Sequence, residues 1–212
     1  MTERQTTEDL IRQLAAGPAP APFHPVAAVG GMLAVLMLGL GLFLLAFGLR
    51  ADLATAWAQV PVQAKTILPA LLSPVALWLA LRSSVPGRRV VLWPLMLPVV
   101  LAGVLFVRRL VSADGSLLVE AMGQTALACL VSITLLSLLP LSAGIYFLRR
   151  TAPTQPVQTG ALLGIAVGAG VAAGYALHCT EDSPLFFVTW YGLGIAAAGG
   201  LGAGLGLRFL RW

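Results

Sequence analysis

The chain has 212 residues, of which 58% are hydrophobic and 10% charged, with a mean hydropathy of +0.92. A soluble domain carries about 25% charged residues, and a small core lacks the interior to hide so much apolar surface. The composition therefore excludes a water-soluble globule and makes lipid the solvent for most of the chain. The net charge of +5 comes from few residues scattered between apolar runs. Such residues orient a membrane protein, and no direct nucleic-acid binding is expected. Two cysteines exclude a disulfide-rich scaffold and leave at most one intrachain bridge.

The first segment, 1–24, is polar. Thr6 is placed to cap a short helix, with Asp9 three residues on in the place of the usual Glu or Gln of a capping box. Leu10, Ile11 and Leu14 then share one face at helical spacing. Gly17-Pro18 ends the helix, and the Ala-Pro run before His24 is an extended connector. About ten residues make a helix that is marginal alone, so order must come from the membrane surface or from a partner's groove. A surface helix wants a basic polar face, whereas Glu8 and Asp9 offset Arg4 and Arg12. That balance favours a protein partner touched by Asp9, Leu10, Ile11 and Leu14, with an unordered leader as the alternative. The apolar run that follows exceeds the roughly 7–15 residues of a signal-peptide core and is expected to stay as an anchor.

A membrane span needs about 20 apolar residues, and six stretches qualify, at 25–49, 60–81, 90–107, 124–148, 159–177 and 185–207, before a tail at 208–212. The expected architecture is an all-α polytopic membrane protein, a six-transmembrane-helix bundle with a short N-terminal cytoplasmic amphipathic helix. The second span is the weakest, because it reaches full length only if extended back to Val60, with Lys65 near its outer end. The fourth lies in a charge-free stretch, 121–148, longer than one span requires. Pro69, Pro74, Pro94, Pro98 and Pro140 fall within spans and are expected to bend them. Gly160, Gly164 and Gly168 recur every fourth residue, as do Gly200 and Gly204. Small residues at that spacing let backbones approach closely, so spans five and six should pack as a tight hairpin. Gly164-Ile-Ala-Val-Gly168 is no nucleotide fingerprint, since no strand precedes it.

Orientation follows from Lys and Arg. With a cytoplasmic N-terminus, the inner segments hold Arg4, Arg12, Arg82, Arg88, Arg89, Arg149, Arg150, Arg208 and Arg211. The outer ones hold only Arg50, Lys65, Arg108 and Arg109. Nine against four places both termini in the cytoplasm. The Arg108-Arg109 pair dissents, and would be explained by a hairpin in the third span or a locally different topology.

On that topology Cys129 lies in the outer half of the fourth span and Cys179 at the outer end of the fifth. Two readings stand. The thiols form a bridge if their Cα atoms come within about 7 Å, in the oxidising compartment beyond a bacterial inner membrane; or each, Cys129 above all, is a small buried hydrophobe. Cys179 also stands beside His178, Glu181 and Asp182 in a polar turn. Thiolate, imidazole and carboxylate suit a soft or borderline divalent ion, which makes Cys179 and His178 candidates for transient heavy-metal binding. Adjacent residues rarely serve one ion, however, and no C-x-x-C spacing is present, so no resident cofactor is expected. No ionisable group lies deep within a span, which disfavours a coupled transporter. There is no Ser/His pair or H-E-x-x-H motif, and no enzyme is expected. The competing readings are a small membrane transporter working through polar groups such as Gln124, Thr125, Ser132, Thr134 and Ser137, and a redox-active membrane protein passing electrons through Cys129 and Cys179.

The block His178-Cys179-Thr180-Glu181-Asp182-Ser183-Pro184, followed by Trp190-Tyr191-Gly192 and the closing Arg208-Phe209-Leu210-Arg211-Trp212, resembles the NrsF family of negative regulators of a sigma factor. Thr7-Glu8-Asp9-Leu10-Ile11 matches it more loosely. The resemblance covers nearly the full length. It implies an inner-membrane anti-sigma factor that sequesters an ECF-type sigma factor and releases it on oxidative or heavy-metal stress. It also implies that Cys129 and Cys179 are the sensing thiols, and that residues 7–14 contact the sigma factor. The family lacks a zinc-binding anti-sigma motif, and none is visible in this chain.

Overall fold

Thr6 opens the first helix in the computed structural model, which describes residues 6–17, 23–112 and 115–211. Its Oγ1 accepts from the Asp9 amide at 3.3 Å and donates to the Asp9 carboxylate at 2.5 Å, satisfying a donor that the first turn would otherwise leave orphaned. The helix it starts, α1, spans Thr7–Ala16. The Ala-Pro connector at 18–22 and the closing Trp212 lie outside the described residues, as does the side chain of Leu14.

Proline then marks the start of most long helices, where its missing amide and preset φ cost nothing. It does so in α2 (Pro25–Phe47), in α4 (Val60–Ser83, through Pro61), in α8 (Pro156–Tyr175) and in α9 (Pro184–Phe209). The single turn α3 (Leu53–Ala56) sits between α2 and α4. A 3-10 turn, Trp93–Leu95, leads into α5 (Met96–Val111), which is followed by α6 (Leu117–Met122) and α7 (Ala126–Leu148). Six helical segments are long and apolar enough to cross a membrane, the expected number, and no strand occurs among the described residues.

One expectation about individual helices needs correction. Pro94 and Pro98 do not bend a helix that is already running. Pro94 lies in the 3-10 turn and Pro98 in the first turn of α5, where a residue without an amide hydrogen delays the helix start past 90–92. The charge-free stretch 121–148, longer than one span requires, is divided near its start. Gly123 breaks it with φ +51, a backbone state that only glycine adopts without strain. A Cβ there would meet the Phe186 ring at 2.7 Å. Pro69, Pro74 and Pro140 do lie inside helices, and beside Pro74 the Ser73 hydroxyl donates to the Ala166 carbonyl of α8 at 2.8 Å.

The bundle is built around α8, most of whose residues are buried, with α4 and α9 on its sides. The expected hairpin of the last two spans is present. Gly160, Gly164 and Gly168 face α9 so closely that a Cβ at Gly160 would lie 2.1 Å from the Gly202 carbonyl oxygen, and one at Gly164 2.1 Å from that of Ala198. The α9 side of this seam is Ala198, Gly202 and Gly206, not Gly200 and Gly204, which have open space around them. Helix α9 is so rich in glycine that four-residue spacing alone defines more than one small stripe. The buried side chains of the helix then select which stripe turns inward.

Short connections make neighbouring helices antiparallel, so the bundle has two chemically different ends. One gathers Arg82, Arg88, Arg89, Arg149, Arg150, Arg208 and Arg211; the other gathers Asp52, Glu120, Glu181 and Asp182 with Arg50, Lys65, Arg108 and Arg109. The dissenting Arg109 does not mark a hairpin, because α5 is a single helix. Its guanidinium grips Glu120 of α6 at 2.6 and 3.0 Å.

Candidate sensing site

The polar turn 176–183 joins α8 to α9 at the acid-containing end. Ser183 closes it as the cap of α9, accepting from Leu185 N at 3.2 Å, while its own hydroxyl donates to Glu120. Inside the turn, the amides of His178 and Cys179 both donate to the Tyr175 carbonyl, at 2.9 and 3.1 Å. The His178 ring lies among Phe43, Phe47 and Tyr175, with Nδ1 2.9 Å from the Gly48 carbonyl. A carbonyl only accepts, so Nδ1 is the donor in this contact.

Two cations hold the turn from below. Lys65, fully enclosed at 0% exposure, donates from Nζ to the Cys179 carbonyl at 2.6 Å, to the Glu181 carbonyl at 3.1 Å and to Asp182 Oδ1 at 2.6 Å. All three ammonium hydrogens are thereby used. Arg50 spreads its fork over Asp52, at 2.8 and 2.9 Å, and over Asp182, at 2.7 and 3.0 Å. It also reaches the Cys179 carbonyl at 3.4 Å. Glu181 faces another way, its Oε1 accepting from the Gln124 amide beside the start of α7 at 2.9 Å. Trp190 on α9 donates to the Ala121 carbonyl at 2.8 Å.

Cys179 and Cys129 are both free and buried. They belong to one cluster of buried side chains with Tyr175, Tyr191 and Phe186. Cys129 lies in the first turn of α7, its amide bonded to the Thr125 carbonyl at 2.8 Å, and Cys179 lies just past the end of α8. The structure thus brings Cys129, Cys179 and His178 to one end of the bundle. Asp182 is turned to the cations and Glu181 to the neighbouring backbone. Among the described residues, no three of His, Cys, Asp and Glu come together in a way that could hold a metal ion.

Lys65 and Arg50 are the residues that sequence reasoning missed. Both were read only as counters in a topology sum, and Lys65 was placed at the outer edge of its span. The available signal was the presence of five acids in the loop segments of the same end of the sequence, Asp52, Asp114, Glu120, Glu181 and Asp182, enough to pair every cation there.

Electrostatics follow from this geometry. Burial pushes the Asp182 carboxyl upward, but the hydrogen bonds and charges of Arg50 and Lys65 outweigh it and leave Asp182 below the usual carboxylate range. Asp52 is also lowered, chiefly by its bonds to Arg50, and Arg50 is raised, chiefly by Asp52 and then Asp182. A carboxyl depressed on folding stabilises the fold above its unfolded value of about 3.9, and that stability is lost as pH falls through the lower folded value. Thermal unfolding in detergent should therefore give a flat midpoint between pH 7 and 5 and a falling one below about pH 4. Asp182→Asn should weaken the acid limb of that profile.

The sequence matches the family described as Negative regulator of sigma F, NrsF, over residues 14–212. It is 36% identical over 220 residues to the Anti-sigma-F factor NrsF of Caulobacter vibrioides, covering 97% of this chain and 99% of that protein. It is 32% identical over 212 residues to the Probable anti-sigma-F factor NrsF of Azospira oryzae, with 97% and 99% covered. No solved structure matches. A family match over nearly the whole length, together with full-length relatives at this identity, places the chain in the NrsF family of negative regulators of sigma F.

Proposed function

We propose that this chain is an anti-sigma factor of the bacterial inner membrane, with both termini in the cytoplasm. It holds an ECF-type sigma factor on α1 and releases it when oxidant or heavy metal reaches Cys129 and Cys179. The carrying observation is the unpacked apolar face of α1. Leu10 and Ile11 are 49% and 60% exposed on a properly capped helix, beside Asp9, which also lies 3.9 Å from Arg12. A helix of ten residues gains little from its own backbone bonds, so an apolar face left open on it suits insertion into a partner's groove. The relatives are named as anti-sigma factors.

The sensing half of the proposal rests on the shared burial of the two thiols. A two-electron oxidant that takes both thiol hydrogens joins the sulfurs and ties the start of α7 to the turn after α8. Moving a population from mostly bound to mostly free takes about 5.5 kcal/mol of differential binding, and a disulfide is worth about 2–4 kcal/mol, so one bond supplies a good share of the swing. A soft metal bound transiently at Cys179 and His178 would act on the same turn.

Co-purification of the sigma factor with the full-length protein tests both halves. Leu10→Asp with Ile11→Asp should lower retention at least tenfold with the membrane domain intact. Cys129→Ser or Cys179→Ser should retain the sigma factor under oxidant, where the parent releases it. Unchanged retention in the first variant moves the contact to the arginine-rich loops, and normal release in the cysteine variants removes the thiols from sensing.

A further inference from the structure

We propose that the arginine-rich end carries a binding site for the phosphate headgroup of an anionic phospholipid, in the cavity between the 84–92 loop and the start of α8. This cavity of about 480 Å³ is lined by Arg88, Arg89, Ser83, Val91, Thr154 and Gln155, among others, with no acid in its wall. Its volume falls in the range of small-ligand sites. Arg88 and Arg89 take part in no ion pair among the described residues. From residue 23 onward, every described acid of the chain is at the opposite end of the bundle. The two arginines therefore face the cavity without a counter-charge, and a guanidinium fork matches phosphate oxygens two at a time.

Depth identifies the phosphate as a lipid's. Trp78, Trp93, Tyr146 and Phe209 are exposed near the ends of α4, α5, α7 and α9 at this side, the arrangement of an aromatic belt at headgroup level. The neighbouring arginines fold onto it. The Arg82 guanidinium lies 4.8 Å from the Trp78 ring centre, and those of Arg149 and Arg208 lie 5.8 and 5.9 Å from Phe209, as side chains do when they run along an apolar wall to reach the interface. Trp93 follows two residues after Val91 of the cavity wall, so a phosphate between Arg88 and Arg89 has an apolar path for its glycerol and acyl chains beside Val90, Val91 and Trp93. An acidic protein segment would gain nothing from that apolar side. The site is independent of the thiols and of α1.

The test uses the full-length protein in phosphatidylcholine nanodiscs doped with phosphatidylglycerol, with retained anionic lipid counted by native mass spectrometry. Arg88→Gln with Arg89→Gln should reduce retention about 25-fold, roughly fivefold per arginine. Arg208→Gln with Arg211→Gln, which removes equal charge from the same end but leaves the cavity, should reduce it less than fivefold. Arg88→Lys with Arg89→Lys keeps the charge without the fork and should fall between the two, which guards against a misfolded glutamine variant. Equal losses in the two glutamine variants would reduce the site to general attraction and overturn the proposal. So would inorganic phosphate displacing the lipid at equal concentration, which would make it a free-phosphate site. Loss of sigma-factor retention with lipid retention unchanged would assign the cavity to a protein partner and overturn it equally.

Discussion

Gly164→Leu is expected to abolish the folded bundle, read as loss of a monodisperse peak and of a cooperative melt in detergent. The added Cβ alone would stand 2.1 Å from the Ala198 carbonyl oxygen, 2.8 Å from its carbon and 2.9 Å from the Gly199 Cα. All of these are backbone atoms, which cannot swing aside as a side-chain tip can. The helices must separate, and with them goes the seam that orders α8, the helix around which the others pack. Gly160→Ala, with its Cβ 2.1 Å from Gly202 oxygen, is the milder version, at about 1–3 kcal/mol of overpacking. Gly204→Ala has open space around it and should be neutral or gain up to about 1 kcal/mol from helix propensity. A Gly204→Ala protein that melts as early as Gly160→Ala would show that the seam has been assigned to the wrong face of α9.

The second large effect is expected at Asp182. Asp182→Asn leaves the Lys65 ammonium fully enclosed with two backbone carbonyls but no counter-charge. Removing one partner of a buried ion pair costs about 3–5 kcal/mol. The loss should appear as a lower melting midpoint and as alkylation of Cys179 at least tenfold faster, because the turn that buries the thiol opens. Lys65→Met should cost less, since Asp182 keeps Arg50. The double variant Lys65→Met with Asp182→Asn should be less damaged than the two single losses added together, because the unpaired ammonium that Asp182→Asn leaves behind is removed with it. Full additivity would mean that the two side chains do not act as a pair.

What could be read beforehand, and what could not, divides along the distance over which the residues act. The span count, the Thr6–Asp9 cap and the close hairpin of the last two spans depend on apolar run length or on residues three and four apart, and each is visible in a single stretch of chain. The grip of Lys65 on Asp182 joins residues 117 apart, and that of Arg50 on Asp182 joins residues 132 apart. No local rule pairs them; only packing α4 against the end of α8 does. The α9 seam was half legible for a related reason. Four-residue spacing says that a stripe exists, but in a helix with so many glycines the choice among stripes is made by Phe186, Phe187 and Tyr191, which are buried. Cys129 and Cys179 were placed at the same end from topology alone. That they share one cluster of side chains required the fold.

The pairing of Lys65 with Asp182 also sets an order of assembly. The lysine leaves the ribosome with the second span, and its counter-charge arrives only after the fifth. Until then the nascent protein carries an ammonium with no acid from that turn to receive it, so the early spans have reason to stay apart or keep water beside that helix. A product ending before residue 182 would leave the Lys65 ammonium without this counter-charge.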